Sequence, residues 1–225
     1  MSTTSKTGKT PTSDGRVGAP ELHLVRGGGP PRDRSELEIV AGLLERARWA
    51  EEAVWLKYAP TIYRFLYRAL GSAADAEDRT QEVFLCLYSK IDRLRRPDAL
   101  KSFLFASAVR LIRWELRRRR VRRWVTLSDT GEPPDGHVPE ADHLARSALR
   151  RFYAVLDTFS AHERTIFVLR HMEGFTLEEV SETMGISLAT TKRHLAKAAE
   201  RFSTKVADEP DLQSYLAQRR GRDAI

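Results

Sequence analysis

The chain has 225 residues, of which 41% are hydrophobic, enough for one large or two small compact domains. Lysine and arginine (38) outnumber aspartate and glutamate (31), which makes a polyanion such as nucleic acid the first partner to consider. The single cysteine, Cys86, excludes an internal disulfide framework and a cysteine-rich zinc site. No apolar run approaches the roughly 20 residues that span a bilayer, so we expect a cytoplasmic protein without membrane insertion.

The first ordered region is predicted to follow a leader. Residues 1–34 are rich in Ser, Thr, Gly and Pro and hold too few apolar side chains to offset the entropy of ordering, so we expect disorder there. A helical domain is predicted over residues 35–124, beginning at a capping box formed by Ser35 and Glu38.

Three further expectations concern the helices of this domain. Apolar spacing predicts that Leu37, Val40, Leu44 and Ala47 lie on the buried face of the first helix. A second helix is expected to begin at Pro60, because proline is favoured in the first turn. Residues 75–94 have the pattern of an amphipathic surface helix.

A long basic helix is predicted over about residues 99–124, with no Pro or Gly inside it. Residues 95–124 contain eleven Arg or Lys against Asp98 and Glu115, a density that is typical of phosphate binding. Glu115 falls on the apolar side, and we expect it to pair with Arg118 or Arg119. The opposite face carries Arg110, Arg113, Trp114, Arg117, Arg120 and Trp124, so that tryptophan rings accompany the basic groups as surfaces for unstacked bases.

The composition changes after this helix. Residues 125–142 contain five carboxylates and no Lys or Arg, which predicts a flexible acidic linker. A second helical domain is expected over residues 143–205, with capping boxes at Ser160 and Thr176, followed by a tail over 206–225. The chain is therefore predicted to be all-α, with two small domains.

The second domain contains the layout of a helix-turn-helix between Phe175 and Phe202. A short helix ends at Gly185, and the next helix begins after Ser187. The residues on this helix that could contact a major groove are Ser187, Thr190, Lys192, Arg193, His194 and Lys197. An ordinary helical hairpin with a solvated basic face is the alternative.

The chain contains, in this order, the amphipathic helix at 75–94, the basic helix and the helix-turn-helix. Over about residues 50–205 this arrangement resembles a sigma factor of the extracytoplasmic-function (ECF) class. The segment from Asp75 to Phe84 is similar to the family's helix that docks on the clamp of the largest polymerase subunit. Residues 95–120 resemble the segment that opens and reads the minus-10 element, and 184–195 resemble the segment that reads the minus-35 element.

The resemblance implies a sigma region 2 helical bundle and a sigma region 4 helix-turn-helix, which bind core RNA polymerase and promoter DNA and promote melting. It implies minus-10 contacts by Arg95, Arg96, Lys101, Arg110, Arg113, Trp114, Arg117 and Arg120, and minus-35 contacts by the six residues of the helix-turn-helix named above. It implies polymerase contacts by Asp75, Asp78, Gln81 and Glu82. The implied partners are the polymerase clamp, the flap of the second-largest subunit, promoter DNA and an anti-sigma factor.

The sequence departs from common family patterns at Val109-Arg110, Trp114-Glu115 and Arg193-His194, so the preferred promoter sequence does not carry over. A helix-turn-helix regulator that is not a polymerase subunit is the main alternative, and a nonspecific nucleic-acid binder is another. We expect no catalytic residues, no cofactor and no metal. The residues whose side chains could ligate a metal are Asp135, His137, Glu140, Asp142 and His143, but their spacing fits no zinc pattern.

Overall fold

A computed structural model describes residues 34–94, 96–125, 143–210 and 213. Within these residues every regular element is helical, which confirms the all-α prediction. The α-helices are α1 (Glu36–Leu44), α2 (Arg48–Leu70), α3 (Ala73–Lys90), α4 (Leu100–Val125), α5 (His143–Asp157), α6 (Ala161–His171), α7 (Leu177–Met184) and α8 (Leu188–Ala207). Short 3-10 turns at Ile91–Arg93 and Pro97–Ala99 connect α3 to α4. Apart from Arg34 and Val125, the predicted leader and linker lie outside the described residues, as does most of the tail.

The helix starts follow local capping chemistry. Ser35, Ser160 and Thr176 each accept a hydrogen bond from the backbone N–H three residues later, and the glutamate at that position bonds back to the cap. These reciprocal bonds satisfy backbone groups that have no partner inside the helix. All three predicted capping boxes are confirmed, because the groups involved lie within four residues of each other.

The expected start of the second helix at Pro60 is wrong. Helix α2 begins at Arg48 and carries Pro60 in its interior. An interior proline costs about 3 kcal/mol because it removes a backbone hydrogen bond. Pro60 itself is exposed, while Val54 and Ile62 on either side of it are buried in the same core. Burial on both sides of the proline offsets its cost and keeps the helix continuous.

The predicted buried face of α1 is correct at Val40 but wrong at Leu37 and Leu44. Leu37 is 65% exposed and Leu44 is 48% exposed, whereas Ile39, Val40 and Leu43 are buried. The crossing with α2 decides this orientation. At Gly42 an added Cβ would lie 2.4 Å from the Trp49 ring, so the two helices meet at the glycine and rotate α1 accordingly.

The main hydrophobic core is formed by α1 to α4 together with residues from the second half of the chain. Ile166, Val168 and Leu169 of α6 and Val180 and Met184 of α7 belong to this same core. A smaller cluster joins α5, α6 and α8 through Leu156, Phe167 and Ala198, among others. The second set of helices therefore packs on the first through apolar side chains. In the described part of the chain, no helix is long and apolar enough to cross a membrane.

Candidate nucleic-acid interface

The basic face of α4 and the neighbouring α3 enclose an open cleft of about 630 Å³. Its walls are Arg79, Glu82, Arg110, Leu111, Arg113, Trp114 and Arg117. Trp114 is 46% exposed, and the guanidinium carbons of Arg79 and Arg118 lie 5.0 and 5.1 Å from its ring centroid. The cleft thus combines an accessible aromatic surface with several cations, the two features that bind single-stranded nucleic acid.

Glu115 organises these arginines from inside the protein. It is fully buried, and its carboxylate accepts hydrogen bonds from Arg118 at 3.1 and 3.2 Å and from Arg119 at 3.4 Å. Arg79 and Arg122 approach the same carboxylate to 3.5 Å. The predicted pairing with Arg118 and Arg119 is confirmed, and the buried carboxylate compensates for the crowding of positive charge along α4.

Other minus-10 candidates are engaged within the protein. Arg96 pairs with Asp98, and the guanidinium of Arg110 donates to the Ser107 hydroxyl at 2.7 Å. Arg120 donates to the backbone carbonyl of Phe159 at 3.2 Å. The Lys101 ammonium lies 5.5 Å from the centroid of the Phe175 ring. Arg95 and the Trp124 side chain lie outside the described residues.

The residues predicted to contact polymerase lie on α3 but do not form one uniform surface. Asp78 and Gln81 are exposed. Asp75 instead pairs with Arg119, and Glu82 pairs with Arg79. Leu85, which the prediction omitted, is 64% exposed one helical turn beyond Gln81. Its position outside the apolar stripe of α3 is a sequence signal that could have identified it.

Helix α8, the second helix of the predicted helix-turn-helix, presents part of its predicted surface to solvent. Ser187 caps the helix, and its hydroxyl donates to the Thr190 hydroxyl at 2.9 Å. Lys192 and Arg193 are exposed on the first turns. These two cations are therefore accessible to a partner such as base edges and phosphates.

Two further candidates on α8 contact α6. The His194 ring stacks on His162 with centroids 5.9 Å apart, and the Lys197 ammonium lies 3.6 Å from Glu163. Burial works against ionisation of Glu163, but hydrogen bonds from Ser160 and the charges of Arg201 and Lys197 lower its pKa overall. Helix α8 is therefore held on α6 by a carboxylate that is ionised at neutral pH.

Buried charged groups also join the two halves of the chain, which are helices α1 to α4 and helices α5 to α8. Arg164 of α6 is 2% exposed, donates to the carbonyl of Ala69 at 2.6 Å and pairs with Asp157. Arg68 of α2 donates to the carboxylate of Glu173 at 2.9 Å. Sequence reasoning missed these groups, because a charged residue in an amphipathic helix gives no signal that it will be buried.

Aromatic and histidine contacts reinforce this junction. The Phe105 ring of α4 lies 4.8 Å from that of Phe175, between centroids. Burial, together with the charges of Arg113, His194 and Arg117, lowers the pKa of His162. Part of the basic face of α4 is therefore covered by α6 and by the segment that precedes α7.

Two family models match the chain in consecutive order. Sigma-70 region 2 matches residues 54–122, and Sigma-70, region 4 matches residues 149–202. Together they cover more than half of the sequence, and curated relatives are named as ECF sigma factors. The chain belongs to the sigma-70 family, in its ECF class.

Individual relatives of this sigma factor are distant. The ECF RNA polymerase sigma factor SigE of Mycolicibacterium smegmatis is 27% identical over 165 residues, which are 72% of this chain and 60% of SigE. The ferric citrate uptake sigma factor FecI of Escherichia coli is 29% identical over 150 residues, 65% of this chain and 81% of FecI.

The fold has a counterpart among solved structures. Sigma factor RpoE in complex with the anti-sigma factor NepR, from Bartonella quintana, matches 69% of this chain and 95% of its own with a TM-score of 0.55. At 21% identity, this likeness concerns the fold. Among the described residues no group of three or more His, Cys, Asp or Glu is placed to hold a metal ion, and the acidic residues and histidine at 135–142 lie outside them.

Proposed function

We propose that this sigma factor binds core RNA polymerase through the outer face of α3, recognises minus-10 and minus-35 elements, and promotes melting of promoter DNA. The observation that carries the proposal is the cleft between α3 and α4, where the exposed Trp114 lies among arginines. Family membership supplies the polymerase partner, with the clamp and the flap as the proposed subunit regions. We accordingly propose that the protein acts in the cytoplasm.

Melting by such a surface needs no covalent chemistry. Unstacking a base costs about a few kcal/mol. Stacking that base on an aromatic ring returns about 1–3 kcal/mol, and phosphate contacts add to this. Trp114 supplies the ring, and Arg110, Arg113 and Arg117 line the same cleft to receive the backbone. Capture of the opened strand therefore favours the melted state.

Recognition of the upstream element is assigned to α8. Lys192 and Arg193 are exposed near its N-terminal end, which is the end that enters a major groove in helix-turn-helix proteins. A good bidentate contact to a base contributes about 1–3 kcal/mol of discrimination. We assign the minus-35 preference mainly to Arg193.

The contacts between the two halves add a step to this function. Two of the minus-10 candidates contact the second half of the chain: Arg120 donates to the backbone carbonyl of Phe159, and the Lys101 ammonium lies 5.5 Å from the centroid of the Phe175 ring. We infer that the helices α5 to α8 separate from α4 before both promoter elements are bound. An anti-sigma factor that held the halves together would block this step, and it remains a proposed partner.

The first test is transcription by purified core polymerase on genomic fragments, with and without the protein, followed by sequencing of transcript starts. We expect new starts that share two spaced upstream elements. Trp114→Ala should reduce melting, measured by fluorescence of 2-aminopurine in the minus-10 element, whereas the matched control Arg48→Ala, an exposed arginine at the start of α2, should not. Binding of DNA without binding of core polymerase would instead support a conventional helix-turn-helix regulator.

A further inference from the structure

Arg79 of α3 joins two surfaces that the proposed function assigns to different partners. Its guanidinium pairs with Glu82, which is proposed to face polymerase, and lies 5.0 Å from the centroid of the Trp114 ring, which is proposed to face DNA. The Arg79 side chain is 11% exposed, whereas that of Glu82 is 43% exposed. A partner that approaches α3 therefore meets the more exposed Glu82 carboxylate before it meets the Arg79 guanidinium.

A second anchor keeps Arg79 beside Trp114. Its Nη2 atom lies 3.5 Å from the buried carboxylate of Glu115. The buried Nε atom of Arg79 finds no hydrogen-bond acceptor within the described part of the chain. If the bond to Glu82 were lost, Glu115 would still hold the guanidinium against the indole, with donors available for another acceptor.

The local charge balance depends on Glu82. Among the described residues the cations of this network are Arg79, Arg118, Arg119 and Arg122, and the carboxylates are Glu115, Glu82 and Asp75. Arg110, Arg113 and Arg117 line the same cleft, so positive charge is in excess around Trp114. Neutralising Glu82 adds one unit to this excess in a partly buried site, where a charge is screened less than at the surface.

We propose that Arg79 is a positioning residue that couples polymerase docking to DNA binding. A cationic side chain of polymerase pairs with Glu82, the Arg79 guanidinium is released from that carboxylate, and the cleft at Trp114 then holds a phosphate and an unstacked base more tightly. By reciprocity, DNA bound at Trp114 strengthens the docking at Glu82 by the same factor. This inference rests on the proposed function, and it predicts that the chain binds DNA more tightly on polymerase than when free.

The test uses Glu82→Gln, which removes the charge of Glu82 without polymerase. The probe is a labelled single-stranded DNA with the sequence of a minus-10 element found by transcript-start sequencing, titrated with the free full-length chain. We expect Glu82→Gln to bind this strand about fivefold more tightly than the parent chain. The matched control is Glu77→Gln, the same change at an exposed residue on α3, for which we expect less than about a twofold change because exposed charges are screened.

A double-mutant cycle identifies Arg79 as the carrier of the effect. Arg79→Lys keeps a cation beside Glu115 but removes the planar group over Trp114. In that background we expect Glu82→Gln to leave DNA affinity unchanged, with folding of each variant checked by thermal unfolding. Equal effects of Glu82→Gln and Glu77→Gln, or an effect of Glu82→Gln that persists in Arg79→Lys, would overturn the inference.

The outcome is separable from that of the proposed function. Promoter-dependent transcription by the parent chain with core polymerase is measured in parallel. New transcript starts combined with no coupling in the cycle would overturn the role of Arg79 and leave the proposed function standing. Absence of new starts would count against the proposed function itself and, with it, against the coupling that rests on it.

Discussion

The basic face of α4 and the exposed face of α8 carry the same kind of charge but are built differently. On α4 the arginines are held by Glu115, by the carbonyl of Phe159 between α5 and α6, and by Asp75 of α3. On α8, Lys192 and Arg193 extend into solvent from a helix that is fixed through Glu163. Changes on α4 should therefore alter stability and positioning as well as binding, whereas changes at Arg193 should alter binding alone.

The largest effect is expected for Glu115→Ala. This substitution leaves the arginines of α4 without their shared buried partner, and breaking a buried pair typically costs 3–5 kcal/mol. Three of these arginines are partly exposed and can be hydrated when Glu115 is absent, so we expect a loss at the lower end of this range. The free energy of unfolding should fall by about 3 kcal/mol, measured by urea denaturation. The control is Glu200→Ala at an exposed position of α8. Equal losses for the two variants would contradict the expectation that charged groups on α4, unlike exposed ones on α8, contribute to stability.

The next effect compares one arginine from each helix. Arg193→Ala should cost about 2 kcal/mol of discrimination at the minus-35 element and leave the unfolding free energy unchanged. Arg117→Ala should weaken binding of all promoters alike and reduce the slope of log affinity against log salt by about 1. Binding of holoenzyme to matched and mismatched promoters at several salt concentrations measures both. If Arg193→Ala affected matched and mismatched upstream elements equally, Arg193 would not be a specificity residue.

Loosening the junction between the halves should have a smaller effect. Glu173→Gln keeps the shape of the side chain but removes its charge from the bond with Arg68, which we expect to cost about 1 kcal/mol. Faster hydrogen exchange in α6, with an increase in DNA affinity of the free chain, would agree with separation of the halves before promoter binding. Glu178→Gln on the exposed side of α7 is the control. Faster exchange without any gain in DNA affinity would argue that the second half of the chain does not cover the DNA-binding face of α4.

The smallest effect concerns pH. The pKa of His162 is lowered from its ordinary value of 6.5 by burial and by Arg113, His194 and Arg117, so the unfolded chain binds the proton first as pH falls. The contribution of His162 to the free energy of unfolding should therefore decrease below about pH 6.5 and level off once pH passes the lowered folded-state pKa. His162→Gln should remove a fraction of this loss, measured by thermal unfolding between neutral and mildly acid pH.

His171 provides a matched comparison for that pH effect. Its pKa is also lowered, by burial and by Arg170, but not by charges of α4. His171→Gln should change the pH dependence of stability but, unlike His162→Gln, should leave the pH dependence of DNA binding unchanged. If the two histidine variants behaved alike in both measurements, His162 would not report on the contact between α4 and α6.

The amino-acid sequence by itself determined the features that depend on neighbouring residues. The capping boxes at Ser35, Ser160 and Thr176, the turn at Gly185 and the pairing of Glu115 with Arg118 all lie within one helical turn, and each could be predicted from spacing. The all-α class and the two matched sigma regions followed from the same local patterns together with the family resemblance.

The tertiary structure alone decided which charges and apolar groups meet. Arg164 bonds to the carbonyl of Ala69 from 95 residues away, and Arg79 of α3 meets Glu115 of α4. The rotation of α1 at Gly42 and the continuity of α2 through Pro60 likewise depend on the packing of partners distant in the chain. Such contacts have no fixed sequence spacing, because they form where helix faces are brought together by burial of a shared core.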